Sequence, residues 1–201
     1  MVQTAQYTAA EAAFVLEEPV RSVKKALDAG PVRPVLLQRA GSPVRTIEWI
    51  DLFYLYAMRK LRSELTPKAR KDFYLAINQT SIEKDNEVQF GRYKIFVHDL
   101  VAEVKRRTTD LDNLAEKIEF RDDGDPLLQG TTVEVYRIAA LLAGGATIEE
   151  ILEDYASLSR SQVEAARDYA EAHPKVGRPY PGASVKRAMQ GAGLEALDDV
   201  E

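Results

Sequence analysis

Apolar positions recur every three to four residues over most of the chain and alternate in only a few short runs, so the pattern predicts many short helices with small strands between them. Thr8 to Leu16 opens with Thr8 and, three places on, Glu11, the reciprocal pair that caps a helix start. Pro19 suits the first turn of a second helix, whose stripe is Val20, Val23, Ala26 and Leu27 and whose stop is Gly30. Two short helices across a tight turn predict a helix-turn-helix. Val35 to Leu37 and Val44 to Ile47 flank Ala40, Gly41, Ser42 and Pro43, which reads as a β-hairpin, or wing.

Ile47 to Leu65 reads as one long helix with apolar residues on two sides, hence sandwiched, and its Trp49, Phe53, Tyr54 and Tyr56 suit a core or a dimer interface. Thr66 and Pro67 open another helix, with Phe73, Leu75, Ala76 and Ile77 on its buried side. After a polar boundary at Asn78 to Glu87, Val88 to Val97 alternates as a strand, Asp99 to Lys117 has helical spacing, and Ile118 to Phe120 is short enough to pair with that strand. His98 and Asp99 read as a capped helix start rather than an acid/base pair.

Further on, Asp125, Pro126 and Gly130 are turn signals, Thr132 to Tyr136 reads as a short strand, and Ile138 to Ala143 as a helix closed by Gly144 and Gly145. Thr147 with Glu150 caps the next helix, and Ser159 a last one with Val163, Ala166 and Ala170 facing inward and Pro174 marking its end. The fold class expected is α+β, predominantly α, in four parts. These are a winged helix-turn-helix over 1–78, a strand-helix connector over 79–120, a helix-turn-helix-like three-helix domain over 121–173 and a flexible tail over 174–201.

Composition narrows the function. With 201 residues and 45% hydrophobic content the chain forms a core, no run of about 18 apolar residues spans a bilayer, and the first residues lack a signal peptide's basic-then-apolar order. A cytoplasmic protein is expected. Zero cysteines exclude disulfides and thiolate metal sites, and two histidines leave little for zinc or Ser-His chemistry, so no metal, cofactor or catalysis is expected.

The net charge of -5 is unevenly spread. Residues 19–71 hold 12 Lys/Arg against 4 Asp/Glu, a net +8, whereas 121–171 hold 4 against 11, a net -7. A basic module attracts phosphate and an acidic one is repelled by it. The candidate DNA contacts are Arg21, Ser22, Lys24 and Lys25 on the second helix and Arg33, Arg39 and Arg45 in or beside the wing. A module this small reads limited sequence by itself, which favours a homodimer on an inverted repeat.

The pattern Asp125-Pro126, Gly130-Thr131, Val135, Ala143-Gly144, Thr147, Glu149 to Leu152, Asp154-Tyr155, Leu158-Ser159 and Tyr169-Ala170 strongly resembles a family of small bacterial and archaeal antitoxin domains. Three departures are Thr132 in place of the family's arginine, Ala156 in place of its proline, and a shortened Leu127-Leu128-Gln129. The opening Tyr7 to Ala13 is similar to the winged helix-turn-helix of MerR-like regulators. Together they resemble the larger VapB-type antitoxins, which implies an autorepressor that binds operator DNA and neutralises a PIN-like ribonuclease toxin. Such nucleases hold metal in an acidic cluster, so Arg178, Lys186 and Arg187 become candidate toxin contacts, with Tyr180 and Met189 as apolar anchors. The alternative is a one-component transcriptional regulator without a toxin. A metal-dependent nuclease would have to rest on Asp122, Asp123, Asp125 and Glu134, which lie in a turn and a strand.

Overall fold

Thr8 sets where the first helix begins: its hydroxyl accepts the Glu11 N–H at 3.2 Å, and the Glu11 carboxylate accepts the Thr8 N–H at 2.5 Å. Two N-terminal donors are thereby satisfied before any tertiary contact forms. The computed structural model describes residues 5–39, 42–121 and 124–183. The chain is an α+β protein, mostly helical, in two compact units that divide between Asp112 and Asn113.

The first unit begins β1 (Gln6–Thr8), α1 (Ala9–Leu16), α2 (Val20–Ala29), β2 (Val35–Arg39) and β3 (Ser42–Glu48). The strands form one antiparallel sheet in the order β1-β3-β2, with Tyr7 opposite Ile47 and Leu36 opposite Arg45. Of the second helix, Val23 and Leu27 are buried and Gly30 ends it, in keeping with the stripe. Ile47 belongs to β3 rather than to the long helix, because the sheet buries it opposite Tyr7. The helix α3 (Trp49–Leu61) starts two residues later, where the Asp51 carboxylate accepts the Glu48 N–H at 3.1 Å. Phe53, Tyr54 and Tyr56 are core. Next, α4 (Pro67–Gln79) starts as expected, with the Thr66 hydroxyl accepting the Ala69 N–H at 3.2 Å.

The run 88–97 is not one strand but a hairpin of β4 (Glu87–Phe90) and β5 (Tyr93–Phe96). Gly91, at φ 55°, makes the reversal that alternation alone does not reveal. The long helix α5 (His98–Glu116) then buries Val101, Val104, Thr108, Leu111 and Leu114 along one stripe.

The C-terminal end of α1 shows how the first unit is locked. Glu17 is left-handed at φ 51°, and it and Glu18 donate their N–H groups to Phe14 and Ala13 oxygens at 3.1 and 3.0 Å. The last two carbonyls take arginines from elsewhere: Val15 accepts from Arg107 of α5 at 3.0 Å, and Leu16 accepts from Arg59 of α3. All four orphan carbonyls of the helix are thus satisfied. Arg59 pairs with Glu18 at 3.1 Å and Arg107 with Glu17 at 3.0 Å, and both guanidiniums face the Tyr56 ring at 6.0 and 5.5 Å. Glu103, flanked by Arg106 and Arg107, is held down to about 2 by its bonds to them.

In the second unit β6 (Ile118–Glu119) pairs with β7 (Leu127–Leu128), not with the earlier hairpin. Three helices follow: α6 (Val135–Ala143), α7 (Ile148–Asp154) and α8 (Arg160–Ala172). They close on Leu128, Val135, Ile138, Leu141, Ile151 and Val163. The strand expected at 132–136 is absent, because the Thr131 hydroxyl turns the chain, accepting the Val133 N–H at 3.1 Å, and α6 begins at Val135. Only Glu134 keeps a bridge, to Leu127. Thr147 and Ser159 cap as expected, their N–H groups donating to Glu150 at 2.7 Å and Gln162 at 2.9 Å. In α8 it is Tyr169, not Ala170, that reaches the core.

Arg107→Ala is expected to lower the unfolding free energy by about 2 kcal/mol, since it strips a buried carbonyl of its donor and Tyr56 of its cation. Arg106→Ala, whose side chain is 57% exposed, is expected to stay within about 0.5 kcal/mol of the parent in the same urea titration.

Candidate functional site

The helix α2 divides its residues cleanly: Val23 and Leu27 face the core, while Arg21, Ser22, Lys24, Lys25 and Asp28 are exposed. Arg21, Lys24 and Lys25 make no ion pair among the described residues and stand open to a polyanion. The two arginines beside them are tied down. Arg45 of β3 donates to Asp28 at 2.8 Å, linking hairpin to helix, and Arg33 donates to the carbonyls of Gly30 and Val32, each at 3.1 Å. Arg33 therefore closes the end of α2, with its guanidinium still on the surface. Arg39 lies at the end of β2 opposite Ser42, at the tip of the hairpin. Val35 and Leu36 on the same edge strand are 49% and 67% exposed.

The tail does not begin at His173. The Tyr136 hydroxyl donates to the His173 carbonyl at 2.8 Å, and Lys175 donates to both Asp125 oxygens, to Oδ1 at 2.6 Å. The Tyr180 hydroxyl lies 2.8 Å from Asp125 Oδ2 and 2.8 Å from Glu134 Oε2. Lys175 also sits over the Tyr136 and Tyr180 rings at 5.4 and 5.1 Å. The strap ends on a backbone contact: a Cβ on Gly144 would fall 1.7 Å from the Gly182 carbonyl oxygen, so the end of α6 admits this segment only because residue 144 is glycine. Residues 174–183 accordingly make specific contacts with the second unit.

These contacts set the local charge. The Lys175 ammonium, and then the Tyr180 hydroxyl, hold Asp125 below the usual carboxylate range, while burial followed by the two carboxylates pushes the Tyr180 phenol up. Of the candidate toxin contacts, Tyr180 faces inward and Arg178 is exposed, whereas Lys186, Arg187 and Met189 lie outside the described residues, as do Asp122 and Asp123. Asp125 and Glu134 are occupied by Lys175 and Tyr180, and no group of three or more His, Cys, Asp or Glu is placed to hold a metal among the described residues. Sequence reasoning missed Lys175, Asp125 and Glu134 as a set. Their one visible signal was the Gly144-Gly145 pair, which reads equally well as an ordinary helix stop.

Gly144→Ala is expected to release the strap, raising the rate of tryptic cleavage after Lys175 by at least about tenfold while the helical circular dichroism is kept. Since the folded value of Asp125 lies below its unfolded one, its contribution is intact above the ordinary carboxylate value of about 3.9 and is lost as pH falls through the depressed value. The Tyr180 ring resonances, which report the contacts with Asp125 and Lys175, should therefore hold steady from neutrality to about pH 5 and shift only below the ordinary carboxylate range.

The second unit contains a family match. Residues 122–170 match the family described as "Protein of unknown function (DUF433)". Over a longer stretch the chain is 27% identical, across 187 residues, to the "Uncharacterized protein y4eO" of Sinorhizobium fredii (strain NBRC 101917 / NGR234), covering 85% of this chain and 82% of that one. Among solved structures it matches the crystal structure of Rv2018 from Mycobacterium tuberculosis at 18% identity, over 80% of this chain and 96% of the other, with a TM-score of 0.29. These comparisons show a likeness to that family over 122–170 and to a relative along most of the chain.

Proposed function

We propose that the protein is a DNA-binding antitoxin: its first unit represses its own operon, and its second unit with the chain beyond it neutralises a PIN-like ribonuclease toxin. The observation that carries the DNA half is the arrangement of α1, α2 and the β1-β3-β2 sheet. Two short helices packed on each other, the first against a three-stranded sheet and the second tied to the sheet's hairpin by Asp28 and Arg45, support a winged helix-turn-helix of MerR-like kind. In that reading α2 enters the major groove through Arg21, Ser22, Lys24 and Lys25, while Arg33, Arg39 and Arg45 reach the backbone or minor groove. The protein acts as a homodimer on an inverted repeat, in the cytoplasm. No helix among the described residues is long and apolar enough to cross a membrane.

The toxin half is supported by the antitoxin-like pattern between Asp125 and Ala170 and by a strap that holds the chain to that same domain. Arg178 is presented at the surface and Tyr180 is spent on the strap, so the direct contacts fall to Arg178, Lys186, Arg187 and Met189. The second reading, a one-component regulator without a toxin, keeps the same DNA face. Nuclease-treated affinity capture from the native lysate separates the two: a PIN-like protein in near-equal amount supports the antitoxin, and recovery of the protein alone supports the regulator.

Lys24→Ala with Lys25→Ala is expected to weaken operator binding and to reduce the slope of log K against log salt by about 2, one unit for each phosphate that the variant leaves unneutralised. Asp28→Asn should do the reverse at low salt, tightening binding several-fold by removing an anion from the face and releasing Arg45, as a filter-binding titration would read. Truncation after Ala183 should leave the strap and folding intact while abolishing toxin neutralisation, measured by rescue of RNA cleavage in a purified mixture.

A further inference from the structure

Beneath the outer face of α2 lies a cleft that the proposed function does not use. It holds about 190 Å³ between the end of α2, the middle of α3 and the start of α4. Its walls are bipartite. Ala26, Ala29, Pro31, Leu55, Met58 and Pro67 supply its apolar lining and Tyr54, Arg62, Arg70 and Lys71 its polar lining, with no carboxylate among the lining side chains. A neighbouring cleft of about 230 Å³ shares Ala26, Leu55, Met58 and Arg62 and carries the Glu18–Arg59 ion pair on its wall.

The cationic lining is built, not incidental. Arg70 donates to the Leu65 carbonyl at 3.0 Å and to the Arg62 carbonyl at 2.9 Å, which fixes its guanidinium at the rim. Burial raises the Tyr54 phenol, and the guanidiniums of Arg70 and Arg62 pull it back, as expected where both cations face the hydroxyl. A partly open apolar cleft lined by charges of one sign suits a small molecule of the opposite sign.

We infer that this cleft is a binding site for a small apolar carboxylate, its hydrocarbon body between α2 and α3 and its anion at Arg62, Arg70 and Lys71. The ligand's wall on α2 is Ala26 and Ala29, and Ala29 lies one turn from Lys25, so occupancy bears on the helix that carries Arg21, Lys24 and Lys25. The inference concerns ligand binding alone and stands or falls apart from the DNA reading.

The chain supplies its own reporter, since Met58 is one of three methionines and the others, Met1 and Met189, lie far along the sequence. The probes are phenylacetate and its neutral isostere phenylacetamide, titrated against full-length protein carrying 13C-methyl methionine, with Met58 assigned through Met58→Leu. The expected result is a saturable shift of Met58 by phenylacetate with a dissociation constant on the order of 1 mM, and binding of the amide at least about tenfold weaker. Arg62→Gln with Lys71→Gln, two exposed positions, should erase the preference for the acid while the free-protein Met58 resonance stays in place. Ala29→Phe, which plugs the cleft from an exposed position, should abolish the shift by both probes. Equal response to acid and amide, no saturable response to the acid, or an acid response that survives Ala29→Phe would each overturn the site.

Discussion

The first unit depends on satisfying the carbonyl end of an eight-residue helix. A helix this short has few internal bonds to spare, and its four terminal oxygens must find donors or water. Here Glu17 bends into the left-handed region so that two backbone N–H groups return, and Arg59 and Arg107 bring in donors from 43 and 92 residues away. Because these arginines come from α3 and α5, the same bonds that finish α1 also clamp the two longer helices to it. The placement of α2, and with it the basic face, follows from where α1 stops.

That dependence explains what was legible beforehand and what was not. Caps are local, and Thr8 with Glu11, Thr66 with Ala69, Thr147 with Glu150 and Ser159 with Gln162 behave as their spacing implies. The buried faces of α2 and α5 were likewise visible from periodicity. Reversals and pairings were harder. Gly91 splits an unbroken alternation into two strands, and Ile118 pairs antiparallel with Leu128, ten residues on. Thr131 and Val133 mimic a strand in composition, yet a hydroxyl bond to the neighbouring N–H bends the chain instead. Of the candidate sites, the exposed cations of α2 were readable as a face. The engagements of Arg33 and Arg45, and the assembly of Asp125, Glu134, Lys175 and Tyr180, depend on groups separated by 1 to 55 positions and leave no periodic trace.

The two units also differ in how they use charge. In the basic one the exposed cations of α2 are left open, while Asp28 of the same helix holds Arg45 of β3, so a polyanion arriving there must compete with an anion already in place. Both partners of that pair are about half exposed, which keeps its strength small and the exchange easy. In the acidic unit, by contrast, the carboxylates nearest the strap are consumed internally, and the outward ones on α7 and α8, such as Glu149 paired with Arg160, remain on the surface.

The glycine contact at the end of α6 fixes a point of departure for the rest of the chain. Eighteen residues follow Ala183, and at full extension they span no more than about 60 Å. Lys186, Arg187 and Met189 lie only three to six residues past it, which confines them to within roughly 20 Å of that anchor. Any surface they engage must therefore present itself beside the second unit, and shifting the anchor by one residue would move the whole accessible shell with it.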